Sequence, residues 1–223
     1  MKISIAATLK RLAAALAVAG LGAAGSASAT LLDRGPLMVY DTALDITWTR
    51  QAGDGVGRPW TDANAWAASL VIGVFDDWRL PWASVSAQGG PATSVVNCSS
   101  ATETACRDNE MGYMFYYNLD GDLGNNKTGN QTAVGGEVLT GIQLGYWSGT
   151  ERFPASPGNA NSGFAWLFNF AVGIQGAEPE VGFLHAWAVR PGDVAAVPEP
   201  ASLLLIGIGA LGLGWARRKG RRR

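Results

Sequence analysis

Residues 40–48 read Tyr40-Asp41-Thr42-Ala43-Leu44-Asp45-Ile46-Thr47-Trp48, with strand-forming residues at both ends and turn-forming residues between them. Aromatic and β-branched side chains favour extended backbone, whereas Asp and Thr favour turns. The stretch therefore predicts two short strands joined by a turn. It begins a mixed domain, and the elements predicted after it decide the fold class.

A short amphipathic helix is predicted after this hairpin. Thr61 is expected to cap its N-terminus, and Asp62 falls in the first turn, where a carboxylate interacts favourably with the helix dipole. Gly73 marks the expected end of the helix. Apolar side chains at helical spacing give it one buried face: Ala63, Trp66, Ala67 and Leu70.

The remaining elements place short helices before a sheet. Residues 75–81 predict an extended piece ended by a proline, and residues 110–117 predict a second helix capped by Asp108 or Asn109, with a strand as the alternative. After a polar loop, three β-like segments follow: 145–150, 164–170 and 184–189. This order indicates one α+β domain over residues 30–196.

Charge is segregated along the chain. The 223 residues carry a formal net charge of −1, but residues 30–197 hold eight basic and seventeen acidic side chains, a net charge of −9. Such a surface repels nucleic-acid phosphates and sulfated polyanions. The composition therefore excludes nucleic acid as a partner and favours cations or neutral glycans.

The first 29 residues are typical of a secretory signal peptide. A basic region ends at Arg11, an apolar run covers residues 12–25, and Ala27-Ser28-Ala29 supplies the small-x-small pattern that precedes cleavage. Cleavage is predicted before Thr30. A buried Ala-rich helix is the alternative, but it does not explain the basic flank and the cleavage pattern together.

Export determines how the two cysteines are interpreted. Cys98 and Cys106 lie in residues 84–108, a stretch without periodicity that predicts an irregular loop. In an oxidising compartment the pair predicts a disulfide that closes a small loop. A metal site would need more ligands than two thiols, and a catalytic thiol would need a base.

The C-terminal segment has three parts in a fixed order. Val197-Pro198-Glu199-Pro200 precedes an apolar run over residues 201–216, and residues 217–223 are mostly Arg and Lys. A helix over residues 201–216 would cover about 24 Å, slightly less than a hydrocarbon core of about 30 Å. Flanking basic side chains can reach the interface, so a transmembrane helix with a cytoplasmic basic end is predicted.

This order resembles the PEP-CTERM sorting signal of Gram-negative bacteria, and Pro198, Glu199 and Pro200 carry the resemblance. It implies an exosortase-type protease as the partner that removes the tail, with membrane anchorage only before processing. It also implies a place in the cell envelope or extracellular matrix, where such proteins accompany exopolysaccharide and biofilm. A permanent tail anchor is the alternative; a GPI signal is disfavoured because its tail ends in apolar residues.

Short motifs over residues 38–192 form a second recognisable set. They are Asp45-Ile46-Thr47-Trp48, Trp60-Thr61-Asp62-Ala63, Trp66, Asp77-Trp78-Arg79-Leu80-Pro81, Glu110-Met111-Gly112, Tyr146-Trp147-Ser148-Gly149-Thr150, Ala165-Trp166 and Ala186-Trp187-Ala188-Val189-Arg190. Their order resembles the Lcl C-terminal domain family, named for a bacterial collagen-like adhesin, with Trp82 where that family has Thr. The resemblance implies a C-type-lectin-like fold but no function. The adhesin's sulfated glycan ligands are disfavoured by the net charge of −9.

The tryptophans and two arginines of these motifs are candidates for both packing and binding. Trp82 follows a proline outside any pattern and is expected to be the most exposed Trp. Arg79 and Arg190 are each expected to form an ion pair with a nearby Asp (Asp45, Asp76 or Asp77). The candidate ligand-binding residues are Arg79, Trp82 and Arg190. Six other tryptophans are predicted to lie mainly in the core, with sugar stacking as the alternative: Trp48, Trp66, Trp78, Trp147, Trp166 and Trp187.

The sequence does not predict a catalytic set. His185 is the only histidine, and Ser148 lacks the Gly-x-Ser-x-Gly context of an activated serine. One oxygen-rich stretch, with Asn118, Asp120 and Asp122, predicts either a solvated turn or a calcium site. The turn is favoured because the stretch departs from the spacing of an EF-hand loop, and no other cofactor is expected.

These observations favour a non-enzymatic protein that is exported to the cell surface or extracellular matrix and binds glycan or exopolysaccharide. A structural matrix protein that acts through protein contacts is the second hypothesis. An enzyme that modifies extracellular polysaccharide is the third.

Overall fold

The computed structural model describes residues 30–84, 95–154 and 163–194. Within these ranges it contains nine strands, three short α-helices and one π-helical segment. The strands are β1 Leu31–Asp33, β2 Met38–Asp41, β3 Ile46–Thr49, β4 Gly129–Thr132, β5 Val138–Ile142, β6 Gly145–Phe153, β7 Phe164–Asn169, β8 Ile174–Pro179 and β9 Val189–Pro191. The helices are α1 Trp60–Ala68, α2 Glu103–Cys106, α3 Glu110–Tyr113 and the π-helix Met114–Asn118.

The strands form three antiparallel sheets. The first has the order β1-β2-β3-β9, the second is the β4-β5 hairpin, and the third has the order β6-β7-β8. Sheets with a few short helices confirm the α+β class, whereas the C-type-lectin-like fold stays a prediction. In the part of the chain that the structure describes, no helix is long and apolar enough to cross a membrane. The predicted signal peptide and the transmembrane segment 201–216 lie outside the described residues.

The predicted hairpin over residues 40–48 is confirmed by β2 and β3. Asp41 pairs with Ile46 at the end of the ladder. The carboxylate Oδ1 of Asp41 then accepts the N–H groups of Ala43 at 3.0 Å and Leu44 at 3.2 Å, which builds the turn. Asp45 completes the turn with a φ of 53°. The acid at position 41 therefore supplies the hydrogen bonds that the turn needs.

Asp41 is also a buried ionisable group. It is fully buried, and Asn118 Nδ2 donates to its Oδ2 at 2.6 Å. Burial raises the pKa of Asp41 from 3.8 to about 6, although the hydrogen bonds from Asn118, Leu44 and Ala43 oppose this rise. The folded chain therefore holds this proton more tightly than the unfolded chain does.

We expect the contribution of Asp41 to stability to fall as the pH rises. A pKa of about 6 in the folded chain against 3.8 in the unfolded chain favours folding at low pH, by about 3 kcal/mol at most. This contribution is complete below the unfolded pKa and is lost as the pH rises through the folded pKa. The Asp41→Asn variant keeps an acceptor for the turn but does not titrate, so its stability relative to the wild type should rise between pH about 4 and about 7.

Urea titrations of both proteins across this pH range measure the difference in free energy of unfolding. Because the Asp41→Asn variant shares every other titrating group with the wild type, only the contribution of Asp41 differs between the two curves. Parallel curves would show that burial does not perturb this carboxyl group.

Helix α1 begins two residues earlier than predicted. Pro59 occupies the N-cap position, no side chain caps the helix, and Thr61 is an exposed residue within the first turn. A residue far away in the sequence fixes the start of the helix, because the N–H of Trp60 donates to Glu180 O at 2.8 Å. The helix ends at Ala68 with Ser69 as its C-cap, so Gly73 does not end it. The predicted apolar face is confirmed, with two buried and two half-buried members in one cluster: Ala63, Ala67, Trp66 and Leu70.

The second helix and the disulfide are confirmed. Asn109, rather than Asp108, caps α3, because its Oδ1 accepts the N–H of Gly112 at 3.0 Å. The Cys98–Cys106 disulfide closes the loop beside it. Gly112 is needed at this contact, since a Cβ there would lie 2.6 Å from the sulfur of Cys98. The loop and the helix are thereby packed together.

The tryptophans lie mainly in the core, as predicted. Trp48, Trp147 and Trp187 are fully buried, and Trp78 is 3% exposed. The rings of Trp48 and Trp187 meet edge to face at 4.8 Å, a favourable aromatic geometry. Trp66 and Trp166 differ from this group because both are only half-buried.

Candidate functional site

Arg79 is held by a carboxylate from a different part of the chain than predicted. Its Nη1 and Nη2 donate to the two carboxylate oxygens of Glu110, each at 2.7 Å. Glu110 also accepts the N–H of Trp82 at 2.7 Å. The guanidinium of Arg79 lies 3.7 Å from the centre of the Trp82 ring. The prediction of an Asp partner is therefore wrong for Arg79, whose partner lies on α3.

A cavity of about 330 Å³ lies against this Arg79–Glu110–Trp82 clamp. Trp82 lines it but is half-buried beneath the guanidinium, which corrects the prediction of an exposed ring. Arg79 has both Nη atoms engaged with Glu110 or with the carbonyl of Leu80. The clamp therefore joins the Trp82 segment to α3 and leaves few donors for a ligand.

Arg190 does not line that cavity and contacts other residues. Its Nε and Nη2 donate to the carboxylate of Asp77 at 2.7 and 3.0 Å, which confirms the predicted ion pair. Its guanidinium also lies 4.4 Å from the centre of the Phe75 ring. The hydrogen bonds from Arg190 hold the pKa of Asp77 below its ordinary value. The structure thus brings Arg79 and Trp82 together and gives Arg190 separate partners.

The predicted calcium ligands occupy different environments. Asn118 is 1% exposed and donates to Asp41, whereas Asp120 and Asp122 are exposed. Asp120 has a φ of 50°, as expected for a turn. Among the described residues, no group of three or more His, Cys, Asp or Glu side chains is arranged to hold a metal ion. The calcium site stays a prediction.

A larger groove, which the sequence analysis did not predict, opens beside α1. Its volume is about 410 Å³, and Trp66, Leu70, Ile72 and Leu37 provide apolar lining. Leu37 is 58% exposed, so the groove begins at the surface. We call it the Trp66 groove. Its other lining residues are Pro36, Thr49, Arg50, Gln51, Gly53, Asp54 and Thr140.

The polar wall of the Trp66 groove is built by backbone pairing between β5 and the segment after β3. The N–H of Ala52 donates to Thr140 O at 2.9 Å, and the N–H of Thr140 donates to Arg50 O at 3.0 Å. Gly53 continues this segment with a φ of 83°. The exposed side chain of Gln51 has no hydrogen-bond partner among the described residues and is available to a ligand.

The cations around the Trp66 groove are already paired. Arg58 donates to the carboxylate of Asp54 and lies 5.1 Å from the centre of the Trp66 ring. Burial alone would raise the pKa of Asp54, but hydrogen bonds from the N–H of Val56 and from Arg58 hold it below its ordinary value. Asp54 is therefore ionised at neutral pH. Arg58 stabilises the ring and the carboxylate rather than presenting a free positive charge.

One comparison with known protein families gives a match. A model described as the PEP-CTERM protein-sorting motif matches residues 196–219, which include Pro198, Glu199 and Pro200. These residues lie outside the described part of the chain. Neither a curated protein nor a solved structure matches the chain. The Lcl C-terminal domain resemblance therefore has no support from these comparisons and stays a prediction.

The matched motif places the chain among exported proteins. It indicates sorting to the cell surface of a Gram-negative bacterium, and motifs of this kind are recognised by exosortases. The chain thus carries a PEP-CTERM sorting motif on the C-terminal side of a folded α+β region.

Proposed function

We propose that this protein is an exported cell-surface or extracellular-matrix protein whose folded region binds neutral glycan or exopolysaccharide without altering it. The sorting motif supports the location. The Trp66 groove carries the binding part of the proposal. An exosortase-type protease removes the tail, and the membrane holds the protein only until then.

The Trp66 groove combines the two kinds of contact that a sugar ring needs. Sugars present apolar C–H faces and hydroxyl edges, so they bind where aromatic or aliphatic side chains adjoin a few fixed polar groups. Trp66, Leu70 and Leu37 supply the apolar contacts, and Gln51 and Thr140 supply hydrogen-bonding groups. A volume of about 410 Å³ falls within the usual range of about 300–1,000 Å³ for ligand sites.

The cavity beside the Arg79–Glu110–Trp82 clamp is a weaker candidate. One face of the Trp82 ring is covered by the guanidinium at 3.7 Å, and both oxygens of Glu110 already accept hydrogen bonds. A ligand would have to compete with these bonds. The Trp66 groove offers an unpartnered amide at Gln51 and needs no such exchange.

Two substitutions test the groove. The protein purified after export should bind a neutral polysaccharide in a pull-down, and Trp66→Ala should weaken that binding about tenfold or more, because the aromatic contact is lost. Gln51→Ala should weaken it about fivefold through the loss of one hydrogen bond. Isothermal titration calorimetry with soluble fragments of the bound polysaccharide gives the affinities.

Control substitutions outside the groove show whether loss of an aromatic or amide side chain elsewhere on the surface lowers binding. Phe183→Ala removes an aromatic side chain that is 73% exposed and does not line the groove. Asn125→Ala removes an exposed amide away from it. Both should retain wild-type affinity. Equal losses in the controls and the groove variants, or no affinity of the wild type for any neutral polysaccharide, would refute the proposal.

A further inference from the structure

We infer that the Trp66 groove is one half of a longer trough that holds the interior of a linear polysaccharide made of uncharged or cationic sugars. This inference rests on the proposed function and adds the shape and the charge of the ligand. Three features of the surface around Arg50 carry it: a second cavity that shares lining residues with the first, a fully engaged guanidinium that lines both, and an excess of carboxylates.

A second cavity adjoins the Trp66 groove. It also measures about 410 Å³, and it is lined by Asp33, Gly35, Pro36, Arg50 and Glu137. Pro36 and Arg50 line both cavities, so the two meet at these side chains. The surface therefore offers two adjoining sites, as a polymer that passes through requires, rather than a single closed pocket for a chain end.

Arg50 lines both cavities. Its Nε donates to Gly35 O at 3.2 Å, and its Nη1 donates to Glu137 at 3.1 Å and to Val138 O at 3.0 Å. Its Nη2 donates to Asp33 at 2.5 Å. Every nitrogen of this guanidinium is engaged, and the side chain is 17% exposed. Arg50 thus joins the β1–β2 turn to the β4–β5 hairpin and is not free to bind a carboxylate or sulfate.

The trough carries more negative than positive charge. Three carboxylates line the two cavities: Asp33, Asp54 and Glu137. Two guanidiniums offset them, that of Arg50 in the lining and that of Arg58, which pairs with Asp54 beside the Trp66 groove, so one negative charge is left over. The side chain of Asp33 is 64% exposed, so its charge faces any chain in the trough. An anionic sugar would meet this charge without a free cation to offset it. A neutral sugar avoids the repulsion, and an ammonium group gains an attraction.

Binding measurements with three polymers test the inference on the exported protein. A neutral linear β-glucan, the cationic polymer chitosan and the anionic polymer alginate are compared at equal chain length and ionic strength. We expect the glucan and chitosan to bind and alginate to bind at least tenfold more weakly. Within the glucan series, affinity should rise from the disaccharide to the octasaccharide as the second cavity becomes occupied.

Charge-removing variants sharpen the test. Asp33→Asn keeps an acceptor for the N–H of Gly35 but removes the exposed charge, so it should weaken chitosan binding about fivefold and glucan binding by a clearly smaller factor. Asp120→Asn removes an exposed carboxylate that lines neither cavity and should change neither affinity.

The outcomes distinguish this inference from the proposed function. Alginate binding as tight as glucan binding, or equal affinities for the disaccharide and the octasaccharide, would overturn the inference while glycan binding itself stood. Failure of every polysaccharide to bind would overturn the proposed function as well.

Discussion

Replacement of Glu110 by Gln should lower the free energy of unfolding by about 3–5 kcal/mol, because it removes one partner of a buried ion pair and leaves the other in place. The side chain of Glu110 is 6% exposed and that of Arg79 is 21% exposed. The neutral amide of Gln cannot balance the positive charge of the Arg79 guanidinium. Its NH2 group would also face hydrogen-bond donors where Glu110 has an accepting oxygen. The N–H of Trp82 also loses the charged acceptor that it has at 2.7 Å.

An exposed ion pair of the same residue types is the control for this result. Glu103 accepts a hydrogen bond from Arg107 at 2.9 Å, and the two side chains are 42% and 38% exposed. Glu103→Gln should cost less than about 1 kcal/mol, since exposed pairs contribute little. Urea denaturation of both variants at neutral pH measures the two losses. Equal losses would show that the Arg79–Glu110–Trp82 clamp does not stabilise the fold.

Gly53→Ala should be the second strongly destabilising substitution. A Cβ at this position would lie 2.0 Å from the backbone oxygen of Ala186, and the residue has a φ of 83°. The positive φ costs about 1–2 kcal/mol for an L side chain, and the steric overlap adds about 1–3 kcal/mol. Because Gly53 lines the Trp66 groove, the backbone shift that relieves the overlap should also weaken glycan binding.

Gly55 provides a matched control for Gly53 two residues away. Its φ is 75°, but a Cβ there would meet no atom within 4 Å. Gly55→Ala should therefore cost only about 1–2 kcal/mol, the conformational part of the effect. The difference between the two melting curves isolates the contact with Ala186. If the two variants melt together, the close approach at Gly53 does not constrain the fold.

Elements determined by neighbouring residues could be predicted from the sequence. The hairpin over residues 40–48 depends on Asp41 and its own turn, and α3 depends on Asn109 three residues before Gly112. The disulfide joins cysteines separated by eight positions. In each case the residue that forms the interaction and the residue that receives it lie in one short stretch, so composition and spacing are sufficient.

Features determined by distant residues could not be predicted. Helix α1 starts at Trp60 because the backbone oxygen of Glu180 accepts the N–H of Trp60. Arg79 pairs with Glu110 rather than with an acid nearer in the sequence, because α3 packs beside Arg79. Strands β1, β4, β5 and β8 were missed. The sequences of β4 and β8 are rich in Gly and polar residues and contain little alternation. Their pairing comes from neighbouring strands rather than from their own propensity. Conversely, among residues 184–189, predicted as a strand, Leu184 and His185 form isolated bridges and only Val189 belongs to a strand, β9.

The Trp66 groove was missed for the same reason. Its lining residues come from the β1–β2 turn, the segment after β3, the end of α1 and strand β5, which lie far apart in the sequence. Trp66 was assigned mainly to the core because it falls on the apolar face of α1. Its half-burial depends on which segments cover that face, and the sequence alone does not specify this.

Hydrogen–deuterium exchange with and without a neutral linear polysaccharide tests the central claim most directly, because it locates the bound chain on the exported protein. The account predicts slower exchange in peptides that contain Leu37, Gln51 and Thr140, and unchanged exchange in peptides that contain Trp82 and Glu110. Protection confined to the Trp82 and Glu110 peptides, or no protection by a polysaccharide that binds in the pull-down, would contradict a binding site in the Trp66 groove.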